Sequence, residues 1–124
     1  MTEGRTQQGL SMQKAVVFVC VMAAGGAWAD ANWTPQTSDQ ITALLTDRGL
    51  VYERARQRFY ASGRTLYKSG QDSWGYWRAE GDQYCSTWPP GDGWECYGLE
   101  LSSDGQSVRF LGHAGDISLG RFAE

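Results

Sequence analysis

Residues 74–105 read WGYWRAEGDQYCSTWPPGDGWECYGLELSSDG, and the character of the whole chain is decided there. Runs of aromatic and other strand-forming residues are broken by Glu80-Gly81-Asp82, by residues 89–93 (PPGDG) and by Ser103-Asp104-Gly105. These are turn signals at hairpin spacing. In the last run Tyr97, Leu99 and Leu101 fall on one face of an extended chain, and Cys96, Gly98 and Glu100 on the other. That alternation describes a strand with one buried side.

The same punctuation continues outward, through Ser62-Gly63 and Ser69-Gly70 upstream and residues 112–116 (GHAGD) downstream. It predicts strands at 50–54, 57–61, 65–68, 74–79, 83–88, 94–101, 107–111 and 117–122. No helical segment long enough for a parallel crossover separates them, so an antiparallel meander follows. A sheet of seven or eight short strands tends to curl and close, because closure removes exposed edges. The fold class is therefore mainly β, a small barrel, with a two-sheet sandwich as the alternative. One helix precedes it: Thr37-Ser38-Asp39-Gln40 fits a capping box, Ile41, Leu44 and Leu45 follow at helical spacing, and Gly49 stands where a C-terminal cap belongs. The spacing predicts a helix over 38–48.

The first 29 residues have the pattern of an export signal. Arg5 and Lys14 precede an uncharged apolar stretch, residues 15–24 (AVVFVCVMAA), which leads to Ala27-Trp28-Ala29 as a cleavage site. The apolar run falls well short of the roughly 20 residues that span a membrane. Either Met1 or Met12 serves as a start for such a leader. Cys20 lies among the apolar residues and has no small-residue setting for acylation. The reading is thus a signal peptide at 1–29, a flexible lead-in at 30–36 and one β domain at 37–124, located in the periplasm or secreted. Cys85 and Cys96 are the cysteines left after cleavage, and in an oxidising compartment they read as a disulfide.

From residue 30 onward nine basic residues stand against thirteen acidic ones, a balance that argues against nucleic acid as a partner. The charge is unevenly spread. Residues 48–68 hold six bases and one acid, whereas residues 69–124 hold three bases and nine acids. Arg54, Arg56 and Arg58 recur every second residue, which on one strand places three guanidinium groups on a single face, with Arg64 and Lys68 on the next strand. Such a face is either the solvated side of a half-buried sheet or a site for an anionic ligand.

Trp88 and Trp94 flank the proline-stiffened segment 89–93, with Asp92 near its tip. Together they make a contact surface for a sugar ring or a protein, or else the two rings pack on each other or plug the barrel. His113 is the only histidine and sits in a glycine-rich turn, so a metal centre is not expected. The acids Glu80, Asp82, Asp92, Glu95 and Glu100 lack a pattern that defines a catalytic pair, and Ser86 lacks the setting of a hydrolase nucleophile.

On Gly75-Tyr76-Trp77, on residues 81–85 (GDQYC) and on Trp94-Glu95-Cys96-Tyr97 the chain resembles a group of small secreted proteobacterial proteins of unknown function. Their pattern is a glycine and tryptophan, a short turn, a first cysteine, a second cysteine and a closing glycine-bearing strand. The resemblance covers about residues 64–122 and transfers no active residue. The chain is more distantly similar to small periplasmic barrels that inhibit proteases or lysozymes, which share its size, export and single disulfide. The expected function is a non-enzymatic binding module of the periplasm or cell envelope, monomeric and free of cofactors. Its partner would be an envelope polymer or a protein. An inhibitor of an exported hydrolase is the alternative.

Overall fold

The computed structural model describes residues 32–123. The export signal expected at 1–29 lies outside the described residues. From Trp33 onward the described residues form one compact unit. The helix α1, Ser38–Leu45, starts as its sequence dictates: the Thr37 hydroxyl accepts the Gln40 N–H at 3.3 Å and the Gln40 side chain accepts the Thr37 N–H at 2.9 Å. Its apolar stripe buries Ile41 and Leu45 completely.

The helix stops three residues before the predicted end. Thr46 leaves the helical conformation and Asp47 takes a positive φ of 61°. The Asp47 N–H donates to the Phe59 carbonyl at 2.7 Å, and its carboxylate accepts the Ala61 N–H at 3.2 Å. These bonds turn the chain into the sheet at once, so Arg48 and Gly49 belong to a strand and not to a helix cap.

Among the described residues nine strands follow one another: β1 Trp33–Pro35, β2 Arg48–Val51, β3 Arg56–Phe59, β4 Arg64–Lys68, β5 Asp72–Glu80, β6 Gln83–Thr87, β7 Glu95–Ser102, β8 Ser107–Leu111 and β9 Ile117–Phe122. From β2 to β9 each strand pairs antiparallel with the next. The ladder of β9 on β2, with Arg121 opposite Val51 and Phe122 opposite Leu50, closes them into an eight-stranded barrel. That ladder sets the sandwich aside. Strand β1 is a correction to the flexible lead-in read for 30–36. Trp33 pairs with Ser102 and Pro35 with Glu100, on the side of β7 that β6 leaves unpaired beyond Tyr97. Among the described residues no helix is long and apolar enough to cross a membrane.

Because successive strands alternate in direction, the turns at 60–63, 81–82 and 103–106 gather at one end of the barrel. Helix α1 covers that end. Its Ser38 N–H donates to the Asp82 carboxylate at 2.9 Å while the Asp82 N–H donates to the Ser38 hydroxyl at 2.7 Å. Beneath the helix, Phe59 sits edge-on to both Trp77 (5.6 Å) and Tyr84 (5.8 Å), and the Trp77 indole N–H donates to the Tyr60 carbonyl. The turns at 52–55, 69–71, 88–94 and 112–116 surround the opposite end, which carries no helix among the described residues.

Candidate functional site

The inward faces of the strands change chemistry along the barrel. Near α1 they are apolar, whereas towards the open end Tyr52, Gln57, Thr65, Tyr67, Tyr84 and Tyr97 replace the aliphatic residues. Gln57 is the centre of this arrangement. It alternates with Arg56 and Arg58 on β3, so the strand that turns two arginines outward must turn a glutamine and Phe59 inward.

Buried with 7% exposure, Gln57 needs partners and has them. Its amide oxygen accepts from the Tyr52 hydroxyl at 2.6 Å. Its amide nitrogen donates to the Thr65 hydroxyl at 2.9 Å and to the Tyr84 hydroxyl at 3.2 Å. Thr65 in turn donates to the Arg58 carbonyl at 2.8 Å. The result is a polar floor with every member satisfied and none of them charged.

Above this floor stands a wall of rings. Tyr52 lies 6.1 Å from Tyr67 and 6.3 Å from Phe110, and Tyr84 lies 5.1 Å from Phe110 and 6.3 Å from Tyr97. Trp88 completes the wall, edge-on to Tyr67 at 6.1 Å. Its seat is made by Gly75, where a Cβ would come within 2.5 Å of both the Trp88 ring and the Thr87 carbonyl. The cavity these residues bound continues over the outer side of β9, past Leu119 and Arg121, to Trp33, and its whole volume is about 1420 Å³. The charged lining residues are Glu53, Arg54, Asp72 and Asp116 near the rim and Arg121 on the outer side of β9.

Burial keeps the floor neutral. It pushes the Tyr52 hydroxyl far up, with the neighbouring Tyr84 and Tyr67 adding to the effect. It raises Tyr84 from 10.0 to about 12, against the opposing pull of hydrogen bonds to Ser86 and Gln57. A tyrosine whose hydroxyl is harder to ionise in the folded state than in the unfolded chain stabilises the fold fully below its unfolded pKa. That contribution fades as pH climbs to the folded value. Thermal stability is therefore expected to hold level to about pH 9.5 and to fall between about pH 10 and pH 12. Circular dichroism melts, run beside tyrosinate absorbance, check this. Ionisation of every tyrosine without loss of stability would contradict the buried floor.

The residues singled out in the sequence scatter over two surfaces. Arg54 stands at the rim, in the β2–β3 turn and not on the strand, since β3 begins at Arg56; the expected row of three guanidinium groups is therefore a pair, Arg56 and Arg58, on the outer face. Trp88 and Trp94 do not stand together. Trp88 is half-buried in the mouth, while Trp94 is 37% exposed and has the Arg78 guanidinium 4.0 Å over its ring. Asp92 is exposed on the loop between them, and His113 is exposed in the β8–β9 turn.

Cys85 and Cys96 are bonded, directly opposite each other on β6 and β7, with Cα atoms 4.0 Å apart. The tyrosines and Gln57 carry no sequence signal of a site, because a single aromatic or amide on a strand makes no motif. The signal that could have found them is the alternation of residues 56–59, which commits Gln57 to the interior. Compared with models of known protein families, with curated proteins and with solved structures, the chain matches none.

Proposed function

We propose that the chain is an exported, non-catalytic binding module, periplasmic or secreted, which takes a small neutral ring-bearing ligand of the sugar class into the open end of its barrel. The observation that carries this reading is the satisfied, uncharged floor of Tyr52, Gln57, Thr65 and Tyr84 beneath walls of aromatic rings. An ionised group lowered onto that floor would lose its hydration and meet no counter-charge there, which disfavours charged ligands. A sugar ring offers hydroxyls that exchange hydrogen bonds with phenol and amide groups and C–H faces that lie on aromatic rings. The disulfide between β6 and β7 accords with an oxidising compartment. An envelope glycan would be a natural source of such rings.

The test is native mass spectrometry of the protein recovered from the periplasm, together with tryptophan fluorescence titrated with neutral oligosaccharides of N-acetylglucosamine and of glucose. A neutral adduct or a saturable fluorescence change is expected, and Trp88→Ala with Tyr67→Ala is expected to weaken it about tenfold or more. Bare protein, with no response to either sugar at millimolar concentration, would overturn the proposal.

The exposed, proline-stiffened loop 88–94, with Asp92 at its tip and Glu95 beside it, favours a second reading as an inhibitor of an exported hydrolase. That reading requires saturating loss of hydrolase activity at one equivalent.

A further inference from the structure

The outer face of β3, β4 and β5 is unlike the rest of the surface. Between residues 54 and 68 the chain holds five bases and no acid, in a protein whose formal net charge is −3. The register sets them in rows. Arg56 lies opposite Lys68, Arg58 opposite Leu66, and Leu66 opposite Trp74; Arg64 lies opposite Tyr76. Asp72, opposite Lys68, is the one acid in these rows. Arg56, Arg64 and Lys68 make no ion pair with any described residue.

Two of the cations, Arg58 and Arg64, are also held in place. The Arg64 guanidinium lies 4.2 Å over the Trp74 ring, Trp74 stacks with Tyr60 at 6.0 Å, and Arg58 lies 5.8 Å over Tyr60. Four side chains, from β3, β4, β5 and the turn after β3, thus support one another on the outside of the barrel. A guanidinium laid flat on a ring keeps its N–H edges free, and those edges match a carboxylate in bidentate fashion. Because the side chains are already ordered, less freedom is lost when a partner arrives.

We infer that this face is a docking surface for an acidic segment of a partner protein. Charge complementarity selects the sign of the partner. The residue types select its class: three arginines to one lysine, with Tyr60, Trp74 at 43% exposure and Tyr76 at 47%, are the vocabulary of protein interfaces, in which arginine, tyrosine and tryptophan are enriched and lysine is depleted. An acidic polysaccharide fits less well, because the Trp74 ring already carries a guanidinium where a sugar would stack. The face meets the barrel mouth only along the edge formed by Asp72 and Trp74, and the inference does not rest on the function proposed above.

The probe is a short fluorescent peptide of glutamate and tyrosine, with a polygalacturonate oligomer of equal charge for comparison, each titrated by anisotropy. The peptide is expected to bind saturably, and raising salt from about 50 mM to about 300 mM is expected to weaken it several-fold, as for exposed charges. Arg56→Glu with Arg64→Glu is expected to weaken binding about tenfold or more at an unchanged melting midpoint. Arg64→Gln, which removes the charge and keeps an unbranched polar side chain, is expected to weaken it in the same direction and guards against a folding defect in the double variant. Trp88→Ala, in the barrel mouth, is expected to leave it unchanged. Absence of peptide binding at low salt would overturn the inference, as would equal binding by the charge-reversed variant. Polygalacturonate binding as tight as that of the peptide would also overturn it and mark the face as a site for acidic glycans.

Discussion

Phe59→Ala is expected to lower the free energy of unfolding by about 3–5 kcal/mol, the range for deleting a fully buried phenylalanine ring. Phe59 has no exposed surface, and it joins two parts of the interior that otherwise differ. Its ring sits edge-on to Trp77, in the apolar layer under α1, and edge-on to Tyr84, in the polar floor. Its backbone carbonyl also receives the Asp47 N–H that ends the helix and starts β2. Truncation leaves a void between two aromatic rings, Trp77 and Tyr84, whose own positions are fixed by the barrel, so little collapse can fill it.

In a domain of this size each kcal/mol moves the melting midpoint by about 4–8 °C, so the variant should melt tens of degrees lower. Phe59→Leu, which keeps most of the volume, should recover a large part of the loss. Urea unfolding followed by circular dichroism measures both. A loss below about 1 kcal/mol for the alanine variant would show that the interior relaxes far more than a close-packed core allows.

Replacing both Cys85 and Cys96 by alanine is the second large effect. The two are 11 residues apart, and closing a loop of that length restricts the unfolded chain by about 3 kcal/mol in the entropy account. The folded barrel loses little in compensation, because the β6–β7 ladder itself holds the two positions opposite each other. Cys85 is fully buried, so alanine there is preferable to serine, which would bring a hydroxyl into a site without a designed partner. The expected fall in melting midpoint is roughly 10–25 °C. The reduced wild-type protein should fall by a similar amount. An unchanged midpoint in both would remove the disulfide from the account of stability.

Much of this fold could be read in the residues because its local signals agree with one another. The alternation of 96–101 places Tyr97, Leu99 and Leu101 towards the interior, and the structure does so. The capping box at Thr37 is formed as its sequence states. Glycine-bearing turns divide the strands within a few residues of their observed ends, because positive φ angles at Gly63, Gly70, Gly81 and Gly105 are a local demand that sequence shows plainly.

What could not be read depends on distant pairing. β1 has three residues and no periodicity, and it exists because β7 outruns β6 and leaves an edge to be filled. Gly49 resembles a cap and so sets the expected helix end too late, whereas the chain reversal is carried by Asp47 through bonds to Phe59 and Ala61, residues far along the sequence. The candidate site was less legible than the fold. Sequence picked Trp88 and Arg54, which reach the mouth, and also Trp94, Arg56 and Arg58, which face outward. Alternation within one strand does not show that Gln57, Thr65 and Tyr84 converge from three strands with Tyr52 from the turn after β2.

The ladder between β9 and β2 sets the order in which the molecule can assemble. Strands β2 to β8 can form neighbour by neighbour as short hairpins, each soon after its residues emerge from synthesis. Until Ile117–Phe122 is available, however, β2 keeps one unpaired edge and β8 another, and the interior stays open along its length. Nascent chains that stop short of β9 therefore present two sticky strand edges and an uncovered aromatic interior, the conditions for association with other chains. Folding is expected to be a late and all-or-none event that waits for the final strand, with a rate set by the long loop that β9 must close to meet β2.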